Sequence, residues 1–287
     1  MEIRLTLRHN PDSTVHAHGW VQLAPFTLAR NQTMYWASEF PSTGPTLVEI
    51  SWETELYQVT ATVADNIAKE DLEQLRKHLN WMFREEEQFE EFWVLCARSS
   101  TLTAIADNGS GALLRSGSLF EDVIKTLCTV NCTWQNTLNM VHNLCEYFGN
   151  AVPNVDHSNF TFPTPATLAN ASDESLKKAR LGFRGAWIRG FAKGVVSGDI
   201  DLPSWTSRTD STDLRKDLLQ LKGFGPYVVD HILMMLGHYE FLPIDSIATK
   251  YLAQHDNESL SSIRSNAELR FADWSKYKFL AFHFESK

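Results

Sequence analysis

The stretch Leu218-Leu219-Gln220-Leu221-Lys222-Gly223-Phe224-Gly225-Pro226-Tyr227-Val228-Val229-Asp230-His231-Ile232 constrains this chain more than any other. A short helix ends in Leu221-Lys222, a Gly-x-Gly turn follows, and Pro226 stands where its missing N–H and fixed φ suit the start of a second helix. Two glycines allow positive φ and let a ligand approach the main chain closely. Backbone N–H groups beside a helix N-terminus then form a cradle for an anion such as a backbone phosphate. Such a cradle positions a nucleic acid without reading its sequence. The same residues also serve a plain helix-turn-helix in which Gly223 and Gly225 only cap and turn, so this stretch alone leaves both readings open.

The 287 residues, 43% apolar and 21% charged, have an ordinary soluble globular composition and suffice for one large or two modest cores. Nine Trp and seventeen Phe suit core packing first and base stacking second. No apolar run reaches the about 20 residues that cross a bilayer. The opening MEIRLTLRHN alternates like a strand and lacks the apolar core of a signal peptide, so an intracellular protein without a membrane partner is expected. A net charge of −9 argues against a surface that attracts phosphate everywhere. The sign is uneven, however. Acid gathers in Arg84-Glu85-Glu86-Glu87-Gln88-Phe89-Glu90-Glu91, expected to be a solvated helix face, whereas residues 177–193 hold Lys177, Lys178, Arg180, Arg184, Arg189 and Lys193. A localised basic face binds nucleic acid even on an acidic chain. Cys96, Cys128, Cys132 and Cys145 lack the short regular spacing of a zinc or iron–sulfur site. They read as reduced, partly buried thiols, with Cys128 and Cys132 placed to share a helix face, and no metal is expected.

The first 105 residues read as a smaller α+β domain with an antiparallel sheet. Ile3, Leu5 and Leu7 alternate with polar partners. Val48, Ile50 and Trp52 alternate, Glu53-Thr54-Glu55 turns the chain, and Tyr57, Val59, Ala61 and Val63 alternate again, which is a hairpin pattern. Asp71 to Phe83 then has helical spacing. Residues 106–287 read as helices. Residues 120–148 form two of them, parted at Asn131-Cys132-Thr133. Phe162-Pro163-Thr164-Pro165 opens another, and Ser172-Asp173-Glu174-Ser175 caps the next. Gly182, Gly185, Gly190 and Gly194 permit close approach of a helix or a backbone.

After the hairpin the chain continues Leu242-Pro243-Ile244-Asp245-Ser246-Ile247. A hairpin of this type followed by Pro-x-Asp at the next helix resembles the helix-hairpin-helix DNA glycosylases, the superfamily of endonuclease III-like, oxoguanine and alkylpurine base-excision enzymes. Gly111-Ala112-Leu113-Leu114-Arg115 with residues 120–131, the segment Phe162-Pro163 to Arg184, and Trp274-Ser275-Lys276-Tyr277 to Leu280 resemble further parts of it, in order. The resemblance covers roughly residues 105–284. It implies a mostly α fold with a two-part helical core, and duplex DNA containing a damaged base as partner of a monomeric enzyme. Asp245 would be the catalytic carboxylate. Gly223, Phe224 and Gly225, with Lys222, would hold a backbone phosphate. Asn131 would fill the gap left by a flipped base, and Arg184 would read the orphaned opposite base. Tyr227, His231 and His283 would line the base pocket.

Two departures narrow the resemblance. Strand-cutting members carry a Schiff-base lysine where this chain has Tyr227, whereas alkylpurine enzymes carry a bulky aromatic there. The iron–sulfur loop of the endonuclease III branch is missing, since no cysteine follows Cys145. A monofunctional enzyme without cofactor is implied, and the resemblance leaves room for a monovalent cation on hairpin backbone carbonyls. Each residue has a plainer role as well. Asp245 makes a good helix cap, Tyr227, His231 and His283 serve as core or rim residues, Lys222 suits any exposed turn, and Trp134 and Trp187 read as core anchors. Alkylated purines such as 3-methyladenine are the favoured substrates. The alternatives are an 8-oxoguanine-type enzyme, suggested by Asn131 and Arg184, and a silent DNA-binding protein that keeps the hairpin.

Overall fold

Alternating burial builds the sheet. In the computed structural model, which describes residues 1–64, 67–155, 159–244, 249, 252 and 263–286, the alternating segments become β1 (Glu2–Thr6), β4 (Gly44–Glu53) and β5 (Gln58–Thr62), joined by β2 (Phe26–Leu28) and β3 (Thr33–Phe40). The order is β1-β5-β4-β3-β2 and every pairing is antiparallel, with Glu53 opposite Gln58 at the expected hairpin. Trp36, Ala37 and Ser38 are buried in succession, so β3 breaks the two-residue alternation that marks its neighbours. Among the described residues the helices are α1 (Pro11–His16), α2 (Lys69–Met82), α3 (Glu90–Cys96), α4 (Thr103–Asp107), α5 (Leu119–Thr129), α6 (Trp134–Phe148), α7 (Pro165–Ala169), α8 (Asp173–Lys178), α9 (Arg184–Ser197), α10 (Leu202–Ser207), α11 (Ser211–Leu218), α12 (Pro226–Met235), α13 (Ile263–Arg270) and α14 (Lys278–Glu285). No described helix is long and apolar enough to cross a membrane.

The chain divides into two compact units, Met1–Glu87 with Ala112–Leu202, and Gln88–Gly111 with Pro203–Lys287. This differs from a boundary near residue 105. The sheet cannot cover its own inner face, and α2 lays Leu75, Leu79, Met82 and Phe83 against Ile3, Leu5, Val48, Ile50, Val59 and Ala61. In the same unit Phe120 of α5 stacks on Phe191 of α9, centroids 5.7 Å apart. Residues 88–111 belong instead with the C-terminal helices, where Phe92 packs within 6.3 Å of the rings of Trp274, Tyr277 and Phe284.

The acid run is the connection after α2 together with the first two residues of α3, rather than one solvated helix face. Glu87 receives the guanidinium groups of Arg84 (2.7 Å) and Arg115 (2.5 Å), and Glu91 pairs with Lys276 (2.6 Å). Neither expected tryptophan anchor is in the core. Trp134 is 38% exposed, covers Gly19 and donates its indole N–H to Gln22, while Trp187 is half-buried with Phe183 edge-on at 4.8 Å.

Helix α5 is buried along nearly its whole length, including three ionisable residues that its apolar spacing does not announce. The Lys125 ammonium lies 2.6 Å from the Glu121 carboxylate. Asp122 accepts the indole N–H of Trp20 (2.9 Å) and the backbone N–H of Ser116 (2.8 Å). Burial pushes both carboxyl groups above their ordinary range, against the pull of these donors. Breaking one partner of such a group strands a buried charge, so the set holds α5 in one place.

Candidate functional site

In the second unit, Asp210 caps α11 by accepting from the Asp213 N–H (3.0 Å), and the helix closes through Leu219 and Gln220. Leu221 N–H donates to Leu218 (3.1 Å) and Phe224 N–H to Leu221 (3.1 Å), winding the turn tightly. Gly223 at φ 91° needs the freedom of glycine. Gly225 does not: its φ is −73°, and a Cβ placed on it would meet nothing within 4 Å. The expectation of two special glycines is corrected to one, and an exposed Gly225 is useful only to something that approaches from outside. Pro226 takes the first position of α12, and no side chain caps that helix start. Among the described residues no side chain caps its positive dipole end and Gly225 beside it is exposed, which suits an anion.

Phe224 is 3% exposed, packed beneath the turn, and gives its N–H to the Leu221 carbonyl. Lys222 is exposed on the turn. Tyr227 and His231 lie one helical turn apart on α12, both half-buried, with ring centroids 6.0 Å apart. His283 sits on α14, stacked on Phe279 (5.6 Å) and edge-on to Phe284 (5.1 Å). Asp245 lies outside the described residues.

The brace of this hairpin escaped the sequence reading. Asp230, 1% exposed, accepts from Arg215 Nε (2.6 Å) and Nη2 (3.3 Å), tying α12 to α11. The Arg215 guanidinium also lies 5.2 Å from the centre of the Phe241 ring. A bidentate pair of this kind fixes orientation as well as distance. The available signal was a lone carboxylate within Val228-Val229-Asp230-His231-Ile232-Leu233.

In the first unit, the turn between α5 and α6 holds Asn131, exposed at φ 47°. Thr133 caps α6 by accepting from the Asn136 N–H. Cys132 lies beyond the end of α5, so it does not share a helix face with Cys128 but donates to the Cys128 carbonyl (3.1 Å). Burial pushes the Cys128 thiol up to about 12. Arg184, the first residue of α9, is only 7% exposed. Its Nε donates to the Val130 carbonyl (3.0 Å) and its Nη2 to the carbonyls of Val130 and Asn131, the latter at 3.3 Å. Arg184 thus points inward, at the turn that carries Asn131, rather than outward as a free donor.

The remaining basic segment is partly neutralised. Arg189 pairs with Asp173 (2.6 Å) and Lys178 with Glu174 (3.2 Å), while Lys177 and Arg180 stay exposed beside an open cleft of about 410 Å³ between α8 and α9. Among the described residues, no group of three or more His, Cys, Asp or Glu side chains could hold a metal ion.

No protein-family model matches the chain. Among curated proteins it is similar to the N-glycosylase/DNA lyase of Saccharomyces cerevisiae, 26% identical over 53% of this chain and 43% of that protein. A protein of Methanothermobacter thermautotrophicus named for the same activity is 25% identical over 60% of this chain and 61% of its own length. A Bacillus subtilis protein named for DNA-3-methyladenine glycosylase is 25% identical over 42% and 43% respectively. The chain thus spans about half the length of the curated relatives it matches. Two solved structures align over 99% of this chain at 18% identity. They are the 8-oxoguanine glycosylase/lyase of Clostridium acetobutylicum in its apo form, with TM-score 0.76 and 95% of that chain covered, and the 3-methyladenine DNA glycosylase of Archaeoglobus fulgidus, with 0.74 and 97%.

Proposed function

The chain has the fold of the helix-hairpin-helix DNA glycosylases, and from that premise we propose that it is a monofunctional base-excision enzyme hydrolysing the N-glycosidic bond of a flipped, alkylated purine in duplex DNA. The observation that carries this reading is Tyr227. By the resemblance it stands at the position where strand-cutting members of the superfamily carry their lysine, and α12, PYVVDHILMM, contains no lysine. Without an amine no imine forms with C1′, and water is left as the nucleophile.

The roles follow from the chemistry. Cleavage passes through a cation of oxocarbenium character, which an ionised carboxylate at Asp245 would stabilise while orienting the attacking water. The hairpin would hold a backbone phosphate through the dipole end of α12 and the bare surface of Gly225, with Lys222 adding charge. A monovalent cation there would sit on turn carbonyls such as those of Leu218 and Leu221, which each accept one N–H and keep a second lone pair. Tyr227, with His231 beside it, would face the extruded base, an electron-poor alkylated purine stacking well on an aromatic ring. Asn131 would take the place the base vacates, so that flipping, which costs a few kcal/mol, is partly offset.

A second reading has its own support. Two of the three relatives carry the N-glycosylase/DNA lyase name, and the 8-oxoguanine enzyme matches the fold as closely as the alkylpurine one. Duplexes bearing 3-methyladenine, ethenoadenine, hypoxanthine, 8-oxoguanine or uracil, scored for abasic sites before and after alkali, separate the two. The proposal expects release of alkylated purines and strands cut only after alkali. Release of 8-oxoguanine with direct strand cleavage establishes the second reading. Binding without release from any lesion makes the chain a DNA-binding protein only.

A further inference from the structure

Arginine is seldom buried unless its donors are engaged. Arg184 meets that condition at the α5–α6 turn. Its guanidinium gives N–H groups to the carbonyls of Val130 and Asn131, which follow the C-terminal end of α5, where a positive charge is favoured. The carbon of the same group lies 4.4 Å from the centre of the Phe183 ring. Phe183 is 51% exposed and Asn131 is exposed, so one inward guanidinium holds an outward ring and an outward amide. Turning Arg184 toward a ligand would remove the donors of both carbonyls and the cation from beside the ring.

We propose that Arg184 is a positioning residue that braces Asn131 and Phe183, and that the base opposite the lesion is met by this amide and ring, so that its identity does not govern recognition. This rests on the glycosylase reading. An amide carries both a donor and an acceptor, and a phenyl ring stacks on any base, so neither strongly prefers one partner. A free arginine fork would prefer one, since its donors match particular base edges.

Two measurements test the inference. In the free protein, hydrogen exchange of the Val130 backbone amide, which bonds the Leu127 carbonyl, is expected to quicken by about tenfold or more in Arg184→Ala and by less in Arg184→Lys, which keeps one donor group. Unchanged exchange in Arg184→Ala overturns the brace. On duplexes carrying a tetrahydrofuran abasic analogue opposite A, C, G or T, wild-type affinities are expected to agree within about threefold, with Arg184→Ala weakening all four by a similar factor. A wild-type preference of about tenfold or more for one opposite base, lost in Arg184→Ala, overturns the proposal. Should Arg184→Ala fail to fold, Arg184→Lys and the four-way wild-type comparison decide between the same outcomes. If the wild type binds none of the four better than undamaged duplex and releases no base, the glycosylase reading fails instead, and exchange alone judges the brace.

Discussion

Two turns, one in each compact unit, are built in opposite ways. The hairpin turn at residues 219–225 closes on itself, through the N–H groups of Leu221 and Phe224, the positive φ of Gly223 and the ring of Phe224 tucked beneath it. The turn at residues 130–133 is held from a distance, by a guanidinium 53 and 54 residues further along the chain. A locally closed turn announces itself in sequence. One held by a remote side chain looks like an ordinary break between helices, and its shape depends on a residue with no local signature.

The contrast breaks most sharply at the hairpin's own long-range tie. Asp230→Ala is expected to destabilise the protein by about 2–3 kcal/mol in urea unfolding, because it removes both charge-assisted hydrogen bonds that tie α12 to the partly exposed Arg215 of α11. A loss below about 1 kcal/mol would mean that the local turn stands without its brace.

The two glycines come next. Gly223→Ala should cost about 1–2 kcal/mol, since a Cβ is strained at φ 91°. Gly225→Ala should leave stability within about 0.5 kcal/mol while lowering affinity for every duplex alike, lesion or not. Equal stability losses at both positions would contradict the geometry of the turn. Loss confined to lesion-bearing DNA would move Gly225 from the phosphate to the base pocket.

Of the side chains that shape the other turn, Thr133 contributes least. Thr133→Ala removes the cap of α6 and should cost about 1 kcal/mol by urea unfolding. It should leave hydrogen exchange of the Val130 amide near wild type, because the turn is held by Arg184 at the carbonyls of Val130 and Asn131. Faster exchange there, equal to that of Arg184→Ala, would make the turn locally closed after all.

The same division explains what the sequence disclosed. Alternation at Ile3 and Leu5 and along residues 48–63 marks strands because one sheet face is buried. Thr33–Phe40 escaped because its buried residues run consecutively. Asn131 was legible as a break in helical spacing, and Gly223 and Pro226 as turn and helix start. Side-chain direction was not legible. Phe224 turns inward, Arg184 turns inward, Trp134 turns outward, and Glu87 belongs to two arginines rather than to solvent. Direction is settled by what packs behind a residue, and for Arg184 that is a pair of carbonyls set by a different helix. The lone Asp230 in an apolar helix was visible, but its partner fifteen residues earlier could be fixed only by folding.

The proposed reaction is a carboxylate-assisted hydrolysis that releases a base without a covalent bond to DNA. One experiment addresses it directly: wild type and Asp245→Asn are incubated with duplexes carrying a single 3-methyladenine or ethenoadenine, with and without borohydride, and scored for free base, abasic strand and trapped complex. The account predicts that the wild type releases base, leaves the strand intact until alkali and traps nothing. It predicts that Asp245→Asn releases base at least about 100-fold more slowly while binding DNA as well or slightly better, since a negative charge near phosphate has been removed. A borohydride-trapped complex in the wild type, or base release by Asp245→Asn at the wild-type rate, would contradict it.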